Sequence, residues 1–119
     1  MKKVLIIEDH QGVRELLRTY IHLNGFTAIT AENGNEGIKT TIGEHPDLIL
    51  MDIIMPEMDG WEATRILRGM SEIKDIPIIA MTAMFRPSDL QRCIDAGCND
   101  YISKPFTLER LRSKIRGLL

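Results

Sequence analysis

A chain of 119 residues, 44% hydrophobic and 27% charged, has the size and composition of one globular domain over residues 1–119, able to bury roughly two-thirds of its unfolded surface. Its net charge of −2, with both signs interspersed, argues against direct nucleic-acid binding, and no apolar stretch is long enough for membrane insertion. The basic start Met1-Lys2-Lys3 leads into an apolar run that stops at Glu8, so no secretory signal is expected. Cys93 and Cys98 lack CxxC spacing and read as reduced, semi-buried thiols of a cytoplasmic protein.

Along the chain, strand signals alternate with helix signals. The run Val4-Leu5-Ile6-Ile7 ends on Glu8-Asp9. Helical spacing of Val13, Leu16, Leu17, Tyr20 and Ile21 predicts a helix over 11–24, stopped by Gly25. A short strand over 27–30 and a helix over 35–43 are joined by an Asn33-Gly34 turn. After Pro46, Leu48-Ile49-Leu50-Met51 runs into Asp52. The loop Pro56-Glu57-Met58-Asp59-Gly60 precedes a helix with Trp61, Ile66 and Leu67. Pro77 opens a fourth strand, Ile78-Ile79-Ala80-Met81, which delivers Thr82. Pro87 suits the first turn of a helix reaching Ala96 and closed by Gly97. A fifth strand over 100–103 delivers Lys104-Pro105, and Thr107 caps a last helix with Leu108, Leu111, Ile115 and Leu118 on one face.

Strands separated by helices of this length imply right-handed crossovers and a parallel sheet covered on both faces. The apolar runs lack polar alternation, as expected of strands buried on both sides. In such sheets, ligands sit beyond the carboxyl ends of the strands, where strand order reverses. Glu8, Asp9, Asp52, Thr82 and Lys104 all fall at that edge.

Three carboxylates gathered there repel one another: two unit charges 4 Å apart cost about 4 kcal/mol at an effective dielectric near 20. Either a carboxyl pKa rises or a cation enters, and hard oxygen donors with room for water suit Mg²⁺, with Mn²⁺ as the alternative ion. Asp52 can then serve as a nucleophile towards phosphorus, with the Thr82 hydroxyl and the Lys104 ammonium stabilising the phosphoryl oxygens. Taken singly, each residue has a plainer role: Asp52 a turn or cap, Glu8-Asp9 a helix cap, Thr82 a β-branched strand residue, Lys104 a surface charge. Their joint occurrence after four separate strands is what points to phosphoryl chemistry. His10 reads as a solvated first-turn residue, His22 and His45 have no partners at ligand spacing, and the methionines read as gap-fillers. Trp61, near the site edge, is a natural fluorescence reporter.

The segments Val4-Leu5-Ile6-Ile7-Glu8-Asp9, Leu50-Met51-Asp52 through Met58-Asp59-Gly60, Met81-Thr82-Ala83 and Tyr101-Ile102-Ser103-Lys104-Pro105-Phe106 together resemble a response regulator receiver domain over essentially the full chain. That resemblance implies a flavodoxin-like (βα)5 three-layer α/β sandwich with a five-stranded parallel sheet in the order 2-1-3-4-5. It implies Asp52 as the phosphoacceptor, taking phosphate from a sensor histidine kinase or a histidine phosphotransfer protein. It implies a metal held by the carboxylates of Glu8, Asp9 and Asp52 and by the backbone carbonyl of Ile54. Thr82 and Tyr101 match the family's switch pair, and Lys104-Pro105 matches a bond that is cis in the family.

By the same resemblance, phosphorylation would add nearly two negative charges and draw Thr82 inward. The surface of the fourth helix, fifth strand and fifth helix would then change for a downstream protein target, the chain being a monomer or a phosphorylation-dependent dimer. Ile54 and Met84, two residues past Asp52 and Thr82, occupy positions that influence hydrolysis in the family. Both are apolar, so slow self-dephosphorylation is expected.

Three other functions compete with this reading. A phosphorylation-independent binding module of the same fold would not need every one of these site residues. An aspartate-nucleophile phosphatase would need a DxDxT arrangement, which Asp52-Ile53-Ile54 lacks. A flavodoxin-like cofactor carrier needs a phosphate-cradling loop where this chain has acids. The expectation is therefore a signalling switch with self-catalysed transfer only, rather than an enzyme acting on outside substrates.

Overall fold

A computed structural model describes residues 1–83 and 86–119. The elements alternate throughout: β1 (Lys3–Ile7), α1 (Gln11–Leu23), β2 (Thr27–Ala31), α2 (Gly34–Glu44), β3 (Leu48–Asp52), α3 (Gly60–Arg68), β4 (Ile78–Thr82), α4 (Pro87–Ala96), β5 (Asp100–Ser103) and α5 (Leu108–Leu118). The strands form one parallel sheet in the order β2-β1-β3-β4-β5. This is the expected flavodoxin-like arrangement, and the predicted elements agree with it to within a residue at each end.

Side chains alternate across each strand, so the apolar runs feed two cores. Val4, Ile6, Leu48, Leu50, Ile79, Met81 and Ile102 meet Leu17 and Ile21 of α1 and Leu111 and Ile115 of α5. Leu5, Ile7, Ile49, Met51 and Ile78 face the other way, against Ala63 and Leu67 of α3. Ile53, Trp61, Ala80, Cys93 and Ala96 fill the space between α3, α4 and the sheet.

Local chemistry fixes where the helices start and stop. Asn33, Asp59 and Thr107 each accept a hydrogen bond from the backbone N–H three residues on, in helices α2, α3 and α5. α1 is capped by the Nδ1 of His10, which accepts from Val13 at 3.2 Å. His10 is thus exposed as expected, but it has a structural task at the entrance of α1 rather than being merely solvated. α4 ends on Gly97 in the left-handed region, φ 110°, with Gly97 N–H donating to Ile94 O at 3.0 Å and Cys98 N–H to Cys93 O at 2.9 Å. That double bond pattern closes the helix and packs residue 98 against residue 93. Cys93 and Cys98, five apart in sequence, pack together for this reason, and both are free thiols.

At the other end of the sheet, Glu8 N–H donates to Ala31 O, Ile53 N–H to Met81 O and Lys104 N–H to Thr82 O, at 3.1, 3.1 and 2.7 Å. These bonds extend the ladders one step past the strands and fix the backbone from which the polar residues project. The Lys104–Pro105 bond is cis, as the resemblance implied.

Candidate functional site

The register lines up the strand ends. Ile7 pairs with Met51, Asp52 with Met81, and Thr82 with Ser103, so Glu8-Asp9, Asp52, Thr82 and Lys104 leave the sheet along one edge. Oxygen atoms of Glu8, Asp9 and Asp52 lie within 4.8 Å of one another. Glu8 and Asp52 are 1% and 4% exposed, whereas Asp9 faces solvent. Lys104 Nζ stands 3.1 Å from both Glu8 Oε1 and Asp52 Oδ1. A cavity of about 350 Å³ opens over these groups, lined by Glu8, Asp9, Asp52, Ile54, Ala83 and Lys104, with His10 and Val13 at its rim.

The charges in this crevice do not balance. Burial, followed by the hydrogen bond and the negative charge of Glu8, pushes the Asp52 carboxyl up to about 7, against the opposing pull of Lys104. Burial also works against the Lys104 ammonium, but Asp52 and Glu8 together outweigh it and hold its pKa above the usual lysine value. A carboxyl whose ionisation is opposed in this way would be relieved by a further cation. Three hard oxygen donors at this separation fit a small divalent ion that keeps several waters.

Two supports of the site act through backbone. Gly60 N–H donates to Ile53 O at 2.8 Å, and a Cβ at position 60 would come within 2.4 Å of Asp52 O. Only glycine lets α3 start this close to the carbonyl of Asp52. In the intervening loop Glu57 has φ 69° and Met58 N–H donates to Pro56 O at 2.8 Å, a three-residue turn that puts an exposed, non-glycine residue in the left-handed region.

Not every predicted residue faces the cavity. Ile54 does, and is 55% exposed at its mouth. Thr82 is buried at 2% exposure on the last position of β4, while its neighbour Ala83 forms the wall. Tyr101 is half-buried on β5 against the core that contains Ile53 and Trp61, with Lys114 Nζ 5.7 Å from its ring centroid. Met84 lies outside the described residues. Trp61 is buried beside Ile53, its Nε1 donating to Cys93 Sγ at 3.3 Å, and the Arg92 guanidinium lies 3.6 Å from the ring centroid. One participant was missed: Arg14, whose guanidinium lies behind the acid pair. At a helical position it reads in sequence as an ordinary surface charge, and only the close approach of α1 to the Glu8 and Asp9 carbonyls distinguishes it.

A flavodoxin-like sheet with an acidic crevice at its carboxyl edge defines the class, and comparison with known proteins narrows it. The family model of the response regulator receiver domain matches residues 4–116, and the chain belongs to that family. The response regulator MprA of Mycobacterium tuberculosis is 38% identical over 117 residues, 98% of this chain and 50% of the relative. MprA of Mycolicibacterium vanbaalenii is 37% identical with the same coverage. The chain therefore spans about half the length of the curated relatives it matches.

Among solved structures, the Vibrio cholerae chemotaxis protein CheY4 superposes with a TM-score of 0.96 at 28% identity, covering 100% of this chain and 99% of that one. The receiver domain of the sensor histidine kinase PA1611 from Pseudomonas aeruginosa has a TM-score of 0.90 at 29% identity, covers 98% and 96% of the two chains, and holds a magnesium ion in its active-site cleft. The chain is a receiver domain of two-component signalling. Among the described residues, no helix is long and apolar enough to cross a membrane.

Proposed function

We propose that this receiver domain is a phosphoacceptor switch in which Asp52 takes a phosphoryl group from a phosphohistidine, on a sensor histidine kinase or a histidine phosphotransfer protein. The observation that carries the reading is the placement of Lys104 Nζ at 3.1 Å from both Asp52 and Glu8, within a crevice whose acids crowd to within 4.8 Å.

The carboxylates of Glu8, Asp9 and Asp52, with the Ile54 carbonyl, would hold Mg²⁺. When bound, the ion supplies charge neutralisation at the phosphoryl oxygens and favours ionised Asp52. An Asp52 carboxylate oxygen attacks phosphorus in line with the departing imidazole. The P–O bond forms as the P–N bond breaks, and the electron pair of that bond remains on the histidine nitrogen. Lys104 supplies a fixed positive charge to the phosphoryl oxygens as negative charge spreads over them, and the Thr82 hydroxyl donates to one of them in the product. The product is an acyl phosphate, which the same crevice slowly hydrolyses. This makes the chain a signalling switch rather than an enzyme for outside substrates.

The new charge draws Thr82 towards the phosphoryl group and allows the Tyr101 ring to turn inward. The changed surface of α4, β5 and α5 would then engage a downstream protein, with dimerisation through α4 and α5 as one form of that engagement. Intact mass after incubation with acetyl phosphate and Mg²⁺ tests the first step: one added phosphoryl group, absent from Asp52→Ala and with chelator, is expected. Folded wild-type protein that binds Mg²⁺ yet gains no mass would instead favour the phosphorylation-independent binding module. A Tyr101→Ala variant with normal phosphorylation is expected to lose phosphorylation-dependent partner binding, and unchanged binding would remove Tyr101 from the switch.

A further inference from the structure

Arg14 lies on the face of α1 that carries Leu17 and Ile21, and it is buried with them at 8% exposure. A guanidinium in an apolar setting is costly unless its donors are satisfied. Here Nη1 donates to the carbonyl of Glu8 at 2.9 Å and contacts that of Asp9 at 3.4 Å. Nη2 stands 3.7 Å from Glu32 Oε1, whose side chain is 66% exposed, so that pair contributes little. The acceptors that justify burying this charge are the main-chain oxygens of the two consecutive acids.

Those two carbonyls belong to the peptide planes on either side of the Asp9 Cα. Fixing both planes fixes φ and ψ at Asp9, and hence the direction in which its carboxylate leaves the chain. Glu8 is anchored on its other side by its N–H to Ala31 O at 3.1 Å, and its Oε2 accepts from His10 N–H at 3.2 Å. The acid pair therefore stands on a backbone held from β2, from α1 and from behind, while the front remains open to the cavity.

We infer that Arg14 is a positioning residue: its planar fork sets the geometry of the Glu8-Asp9 ligand pair from the side remote from the ion. This rests on the proposal that the acids hold Mg²⁺. Such partners, which orient metal ligands without touching the ion, typically govern affinity by about 10–100-fold. Mg²⁺ demands near-ideal octahedral geometry, whereas Ca²⁺ tolerates loose sites. A loosened pair should accordingly lose discrimination between the two ions, which a general loss of stability would not produce.

The test is calorimetric titration of Mg²⁺ and of Ca²⁺ into the full chain, for wild type, Arg14→Met, Arg14→Lys and Glu32→Gln, well below each variant's Tm. Arg14→Met is expected to weaken Mg²⁺ binding by about tenfold or more and to weaken Ca²⁺ much less. Arg14→Lys, a point charge without the fork, should fall between Arg14→Met and wild type. Glu32→Gln should stay within about twofold of wild type, because the exposed ion pair contributes little. A folded Arg14→Met with wild-type Mg²⁺ affinity would overturn the inference. Should that variant not fold, Arg14→Lys with undiminished affinity and selectivity would overturn it equally. Wild-type protein that binds no Mg²⁺ would instead overturn the metal reading, and this one with it.

Discussion

Lys104 and Asp52 meet across the carboxyl edge of the sheet at 3.1 Å, although 52 positions separate them in the chain. One ammonium serves two buried carboxylates there, since Glu8 Oε1 is equally close. The arrangement leaves Asp52 only partly compensated, with a pKa of about 7, and the pH behaviour of the domain follows from that.

A carboxyl raised from 3.8 to about 7 by folding binds more protons in the folded than in the unfolded state between those values. The stability of the metal-free protein should therefore fall as pH rises through that window and level off above about 7, by an amount on the order of a few kcal/mol. Urea unfolding at several pH values with chelator present would show the slope. Asp52→Asn should remove most of it and be the more stable protein at pH 8. A flat wild-type profile would mean that Asp52 ionises freely.

With Asp52 as a ligand, as proposed, cation binding displaces its proton. Mg²⁺ affinity is thus expected to weaken by up to about tenfold per pH unit below pH 7 and to become independent of pH well above it. Trp61 packs against Ile53, the residue after Asp52, and offers a fluorescence readout for the titration. Equal affinity at pH 5.5 and pH 8 would contradict the expectation.

Glu57 adopts φ 69° on an exposed loop, a conformation that glycine reaches without steric cost. Glu57→Gly should raise stability by up to about 1 kcal/mol, the relief of strain exceeding the added flexibility of the unfolded chain. Gly60→Ala should act in the opposite sense, because the new Cβ would meet the carbonyl of Asp52 at 2.4 Å. A loss of about 2 kcal/mol or more is expected, in the range of overpacked core substitutions. Thermal unfolding of the two variants beside wild type measures both.

Ile54 stands at the cavity mouth with no polar group to hold an attacking water. The phosphoryl group is accordingly expected to persist for minutes or longer in the isolated domain. Ile54→Gln, which adds an amide at the same place, should shorten that lifetime severalfold. Decay within seconds in the wild type would contradict the proposal, as would an unchanged lifetime in the variant.

Much of this was readable from the residues in order. Uninterrupted apolar runs such as Leu48-Ile49-Leu50-Met51 require burial on both faces, and that requirement implies parallel strands, helical cover and a functional carboxyl edge. Chain order then assigns Glu8, Asp9, Asp52, Thr82 and Lys104 to that edge. Features that depend on approach in three dimensions were not readable. Arg14 has the periodicity of a core position but the chemistry of a surface one, and only its two carbonyl partners reconcile the two. His10 resembles an idle neighbour of Asp9 until its ring is seen accepting from Val13. The contact of Cys93 with Cys98 is made by the αL turn at Gly97, which brings a five-residue spacing together. The positive φ of Glu57 carries no residue signature at all.

The most direct test of the central claim locates the phosphoryl group itself. The protein is incubated with acetyl phosphate and Mg²⁺, treated with borohydride to reduce any acyl phosphate to the alcohol, and digested for tandem mass spectrometry. Homoserine at position 52, dependent on both acetyl phosphate and Mg²⁺, is the predicted result. Reduction at Glu8 or Asp9 instead, or an unmodified Asp52 peptide from protein that had gained phosphoryl mass, would contradict the assignment of Asp52 as the acceptor.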